Sequence, residues 1–206
     1  MKKNIIYGII IFAIICVIGL GVWLITKNNN NQQNPNLTDA QKFAQEYTEI
    51  GEDNVFVYRS IKEIIKIMEN GTGIVYLGFP ECPWCQAYVK YLNEVAKSEG
   101  VKEIYYFNIL NDRTNNTEEY QKIVSILGDN IEYDEEGNHR IYVPNVSFHI
   151  DGKLIGNDFE TAYDTKDLEK PVDYWTKEEV SDLKNTLTKY TKRVVSALNT
   201  CTDCNK

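Results

Sequence analysis

Apolar residues change their spacing along this 206-residue chain, and each change predicts a different element. From Ile5 to Ile25 they are almost continuous. At 1.5 Å per residue a helix of about 21 residues spans roughly 30 Å, the depth of a bilayer's hydrocarbon. From Asn28 to Asn36 they vanish: NNNNQQNPN is polar, uncharged and able to bury nothing, so it predicts a flexible spacer. Beyond it, short apolar runs alternate with stretches at helical spacing, the pattern of an α/β domain.

Within that domain Thr38 or Asp39 caps a predicted helix, Ala40 to Ile50, with Phe43, Ala44 and Tyr47 on one face. Val55–Tyr58 reads as a short strand. Ser60 caps an amphipathic helix through Met68, with Ile61, Ile64, Ile65 and Met68 on its apolar stripe, and Gly71 and Gly73 stop it. Ile74–Phe79 is a buried strand, and a helix runs from Pro83 to about Ser98 and ends at Gly100. Ile104–Ile109 is the next strand, so strand, helix and strand imply parallel pairing through a right-handed crossover. A helix over Thr117–Leu127 follows.

The stretch Asn130–Arg140 is polar and acidic, with Gly137-Asn138 as a turn, and predicts a surface hairpin or loop. Ser147–Ile150 and Lys153–Asn157 form a hairpin joined by Asp151-Gly152, a dipeptide suited to a tight turn. Asp158–Trp175 is a long connection carrying Phe159, Tyr163, Tyr174 and Trp175. Thr176 and Glu179 form a capping box for the last helix, which runs to about Leu198. The strand directions bring Asp158–Trp175 out beside the end of the Ile74–Phe79 strand, where its aromatics would shape access to whatever that strand carries. They also send the last helix away from that pole, so Cys201 and Cys204 would leave from the opposite end.

The boundaries follow: a cytoplasmic stub over residues 1–4, a membrane anchor over 5–26, a polar linker over 27–37, a domain over 38–199 and a tail over 200–206. A cleaved signal peptide is the rival for the first apolar run. The run is long for that purpose, and no small-x-small cleavage site follows before Lys27. Cys16 does not mark a lipoprotein signal, because Ile15 precedes it. Lys2 and Lys3 outweigh Lys27, so the positive-inside bias puts the N-terminus in the cytoplasm and the domain outside.

Charge narrows the partners. Lys2, Lys3 and Lys27 account for three of the 22 basic residues, so Asn28–Lys206 carries 19 against 30 acidic ones, a net charge near −11. That opposes nucleic acid and anionic lipid surfaces as partners of the domain.

The candidate chemistry lies in five cysteines, which divide into Cys82/Cys85, Cys201/Cys204 and a lone Cys16. Cys82-Pro83-Trp84-Cys85 spans the turn from the buried strand into the helix. With Pro83 as the first helical residue, Cys82 sits at the helix N-terminus, where orphan amides and the dipole favour a thiolate. Cys85, one turn inward, is placed to resolve a mixed disulfide on Cys82. A zinc site would need Cys201/Cys204, His139 or His149 as its other half, and Pro83-Trp84 after a buried strand does not look like a zinc knuckle. Neither histidine shows a catalytic partner in the sequence. No Gly-rich βα turn offers an NAD or flavin site, so no dissociable cofactor is expected.

The strand, the Cys82-Pro83-Trp84-Cys85 turn and Val143-Pro144-Asn145-Val146 resemble the active site of the thioredoxin-like family over roughly Val55 to Ala197. Within it, the chain is similar to membrane-anchored extracytoplasmic members of Gram-positive bacteria, including bacteriocin transport accessory proteins. The resemblance implies a central mixed sheet flanked by helices and a cis-proline, Pro144, facing the cysteines. It further implies that Trp84, Val143 and Pro144 contact an extended substrate. The implied activity is thiol–disulfide exchange with exported proteins or peptides, coupled to a separate redox partner. A non-enzymatic adaptor in a secretion complex is the alternative. Cys201/Cys204 would be a second redox pair or an idle tail disulfide.

Two departures stand out. Tyr76 occupies the place where thioredoxin has a buried carboxylate, six residues before the first cysteine, and a phenol is a poor base at neutral pH. Proton removal from Cys85 would then fall to Glu81, Glu94 or water. Glu81 replaces the tryptophan before the first cysteine, and its charge opposes a thiolate at Cys82.

Overall fold

The structure, a computed structural model, describes residues 37–159 and 170–200. The predicted stub, anchor and most of the linker, the middle of the long connection, and the tail with Cys201 and Cys204 lie outside the described residues. Among the described residues no helix is long and apolar enough to cross a membrane.

Polar residues at the element ends fix the first boundaries. Thr38 Oγ1 accepts the Gln41 N–H at 3.2 Å and Gln41 Oε1 accepts the Thr38 N–H at 3.1 Å, a reciprocal cap that opens α1 (Asp39–Glu46). Helix α1 ends earlier than its apolar spacing predicts. Tyr47 leaves helical dihedrals so that its ring stacks on Phe43 at 4.3 Å and its hydroxyl donates to Tyr106 Oη at 3.1 Å. After β1 (Phe56–Tyr58), Ser60 and Glu63 make the same reciprocal cap on α2 (Ile61–Asn70).

All six positions of β2 (Gly73–Gly78) are buried, as a strand covered on both faces requires. It leads into α3 (Pro83–Ser98), then β3 (Ile104–Asn108). The next helix, α4 (Leu110–Asn115), was not legible in the sequence. Asn108 Oδ1 accepts the Leu110 N–H at 3.1 Å and starts the turn there. Then come α5 (Glu118–Leu127), β4 (Asn145–Ile150), β5 (Lys153–Asp158), the four-residue α6 (Pro171–Tyr174) and α7 (Lys177–Thr200). In the acidic stretch, Tyr133 and His139 form one antiparallel bridge.

The sheet order is β1-β3-β2-β4-β5, parallel from β1 to β2 and antiparallel beyond. The register sorts the side chains. Ile74, Tyr76, Tyr106, Val146 and Phe148 face α3 and α7, whereas Val75, Leu77, Tyr105, Ser147 and His149 face α2 and α5. On the first face, Phe43, Tyr47, Phe56, Tyr76, Tyr88 and Tyr106 pack ring against ring, with Phe43–Phe56 centroids 4.0 Å apart and Tyr76–Tyr88 centroids 6.2 Å apart. The result is a mixed α/β domain with a five-stranded mixed sheet flanked by helices on both faces.

The poles follow the register. Leu77, near the end of β2, pairs with Asn145 at the start of β4, and Asp158 at the end of β5 pairs with Val146. Asp151 and Gly152 turn the hairpin with φ of 49° and 73°. A side chain at 152 would meet the Glu69 carbonyl, so only glycine fits there. Helix α7 runs alongside α3 in the same direction: Lys184 Nζ reaches Glu94 Oε2 at 2.5 Å and Lys192 Nζ reaches Glu99 Oε1 at 3.9 Å. Leu198 and Asn199 end beside Gly73 and Ile74, at the opposite end of β2 from the cysteine turn.

Candidate active site

The turn after β2 is built for a helix start. The Cys82 N–H donates to Phe79 O at 3.2 Å, and Cys82 takes extended dihedrals as the N-cap of α3, with Pro83 in the first helical turn. In most helices an oxygen of Ser, Thr, Asp or Asn fills the N-cap role. Here the Cys82 sulfur accepts the Cys85 N–H at 3.2 Å.

Burial separates the two thiols, which are both free: Cys82 is 8% exposed and Cys85 is fully buried. The Cys82 thiol is held down at about 7, first by a hydrogen bond from the Cys85 thiol. The backbone N–H groups of Cys85 and Trp84 and the charge of Arg113 help, and burial works against them. Cys85 is pushed well above the ordinary thiol value, first by burial and then by Cys82 beside it. The pair is therefore asymmetric, with a nucleophile at the surface and a protonated thiol beneath it.

Facing this turn is the segment before β4. The Val143–Pro144 peptide bond is cis, and the Cys82 thiol donates to Val143 O at 3.8 Å. Two residues earlier, Ile141 is held from both sides: its N–H donates to Tyr120 Oη at 3.2 Å, and its carbonyl accepts from Arg113 Nη1 at 3.4 Å. Arg113 also lies over the Phe79 ring, 5.0 Å from its centroid. Asn145, directly after Pro144, is fully buried.

The other flank is aromatic. Tyr174 meets Trp84 edge to face at 5.4 Å, and Trp175 packs on Tyr91 at 5.3 Å and on Tyr88 at 6.4 Å. Between this wall and the cysteine turn runs a groove of about 580 Å³, lined by Glu81, Pro83, Tyr91, Pro171, Val172 and Trp175. Val172 is 78% exposed on its rim. The end of the long connection thus reaches the cysteine pole, as the strand directions predict.

Gln86, unnoticed in the sequence, binds this pole together. Its amide donates to Pro80 O at 2.9 Å and to Glu46 O at 2.7 Å, and its carbonyl accepts the Thr48 N–H at 3.0 Å. Arg113 and Tyr120 were equally hidden, since each acts on a partner more than twenty residues away.

Tyr76 is fully buried beneath the turn, and its phenol is raised well above its ordinary value by burial and then by Cys85. It stays protonated, so it can donate toward Cys85 but cannot remove its proton. A Cβ at Gly78 would stand 2.6 Å from Tyr76 Oη, so the glycine makes room for the ring. Glu94 does not serve Cys85 either: it lies nine residues further along α3, about 13 Å of rise, and pairs with Lys184. Glu81 remains exposed at the turn.

His139 stacks on Tyr133 at 4.2 Å and lies 3.4 Å from Asp129. His149 is buried with Nε2 at 3.0 Å from Ser147 Oγ, at the far end of β4 from the cysteines. Compared with protein-family models and with curated proteins, the chain matches none.

Proposed function

We propose that the chain is a thioredoxin-like thiol–disulfide oxidoreductase, held at the outer face of the membrane by residues 5–26 and acting on exported proteins or peptides. One arrangement carries this reading: the Cys82 sulfur caps α3 with its back to the Cys85 N–H at 3.2 Å and its face to the Val143 carbonyl before Pro144. In reduction, the Cys82 thiolate attacks one sulfur of a substrate disulfide. That S–S bond breaks, and the departing substrate thiolate takes up a proton. Cys85 then loses its proton and attacks Cys82 in the mixed disulfide, releasing the second substrate thiol. Two electrons pass to the substrate, and Cys82–Cys85 becomes a disulfide. Run backwards, the same steps oxidise a substrate dithiol, so the pair's potential against its redox partner sets the direction.

Val143 and Pro144 would line an extended substrate segment, with Trp84 on the other side of the sulfur. An adaptor without turnover is favoured by one observation, the phenol of Tyr76 where a base for Cys85 would be expected. Insulin reduction and refolding of a scrambled disulfide substrate separate the two. The reading requires activity that disappears in Cys82→Ser and mixed disulfides that accumulate in Cys85→Ser. Substrate binding with neither activity would overturn it.

A further inference from the structure

The inference concerns the cation closest to the cysteine turn, and it rests on the reading of that turn as a dithiol exchanger. Arg113 is half-buried in α4, and among the described residues no carboxylate pairs with it. A partly desolvated guanidinium without a counter-ion is unfavourable unless something nearby supplies negative charge. Burial and the nearby Arg140 charge both weaken its hold on its proton, whereas Cys82 and Cys85 strengthen it.

The side chain touches both loops of the site. Its ring contact is Phe79, three residues before Cys82, at 5.0 Å, and its hydrogen bond goes to the Ile141 carbonyl, three residues before Pro144, at 3.4 Å. Only arginine combines these contacts, because a planar fork can stack on a ring and still direct N–H groups sideways. The remaining titratable groups around it are engaged elsewhere or share its sign. Asp112 Oδ1 accepts from Thr117 Oγ1 at 2.9 Å, Tyr120 Oη is held by the Ile141 N–H, and Arg140 lies 5.8 Å from the Tyr142 ring. Glu81, exposed on the turn, is the one carboxylate whose charge opposes a thiolate from the same side.

We propose that Arg113 is a positioning residue for thiol exchange: its guanidinium is the counter-ion of the Cys82 thiolate and couples that charge to the Ile141–Pro144 segment facing it. The dithiol form then satisfies Arg113, and the disulfide form leaves it without a partner. Arg113 therefore biases the pair toward the reduced state and makes it the stronger oxidant.

The test follows Cys82 alkylation by iodoacetamide against pH in the full-length chain, with the Cys82 peptide read by mass spectrometry. Arg113→Met removes charge and fork; Arg113→Lys keeps the charge and loses the fork. The neutral variant should move the Cys82 midpoint up by roughly half a unit to one unit and slow alkylation at pH 6 about three- to tenfold. Arg113→Lys should move it less than half as far. If Arg113→Met does not fold, Arg113→Gln takes its place as the neutral variant. An unmoved midpoint in the neutral variant, or an equal shift in the lysine variant, overturns the proposal, whatever happens to thermal stability. The titration involves no turnover, so its outcome is separate from insulin reduction, on which the functional reading depends.

Discussion

The amide N–H of Cys85 points at the sulfur of Cys82 from 3.2 Å, and the Cys85 thiol itself is the largest influence holding Cys82 at about 7. Each cysteine thus sets the other's chemistry. Replacing Cys85 with alanine keeps the backbone donor and removes the thiol donor, so the Cys82 midpoint should climb from about 7 toward the free-thiol value. Thiolate absorbance at 240 nm in a background lacking Cys16, Cys201 and Cys204 reads it directly. The sign for stability follows. A depressed thiol stabilises the reduced fold fully above its unfolded value and loses that contribution as pH falls through about 7. An unchanged midpoint in Cys85→Ala would refute the coupling.

Tyr76 acts on the second half of the reaction. Its phenol lowers the burial-raised Cys85 thiol, so Tyr76→Phe should raise Cys85 further and delay its attack on the mixed disulfide. Single-turnover quenching should show the Cys82-linked intermediate living several-fold longer, with the first step unaltered. Stability should move by no more than about 1 kcal/mol, the scale of one hydroxyl. Equal lifetimes in both proteins would remove Tyr76 from the mechanism.

Much of this architecture was legible. Thr38 and Ser60 announce their helices through partners three residues away, and Asp151-Gly152 announces its hairpin, because caps and turns are local chemistry. The apolar run of β2 is legible for the same reason. Gln86 and Arg113 were not, because their meaning lies in Thr48 and Ile141, 38 and 28 residues away. Nothing in a local window says which distant carbonyl a glutamine will meet. Glu94 is the converse case: it looked available in the sequence, but helical rise carries it away from Cys85 to Lys184.

Val172 offers a test of the groove. At 78% exposed it supports little, and Val172→Ser should change stability by less than about 0.5 kcal/mol. If the groove receives protein substrates, the KM for reduced or scrambled protein should rise while the rate with a small disulfide stays level. A parallel change in both would mean that this rim is unused.

His149 predicts an acid weakness unrelated to catalysis. Burial depresses it to about 4, so it stays neutral in the fold while the unfolded chain binds a proton below about 6.5. Stability should therefore fall as pH drops from 6.5 toward 4, by up to about 3 kcal/mol. His149→Gln should flatten that fall, most visibly between pH 6.5 and 5, above the range of most carboxylates. Urea midpoints across this window decide it; parallel curves for the two proteins would contradict the burial argument.

The six buried positions of β2 bear on how the two walls of the cleft open. Amides of a central strand exchange with solvent only when most of the domain unfolds, whereas a four-residue helix at the end of a long connection can open alone. The cysteine turn grows directly from β2, and Pro171–Tyr174 stands across from it. Deuterium uptake should be slowest along the strand that presents the sulfur and fast in the rim that surrounds the groove. A chain built this way can admit substrates of different shapes by yielding on one side, without loosening the atoms that exchange the bond.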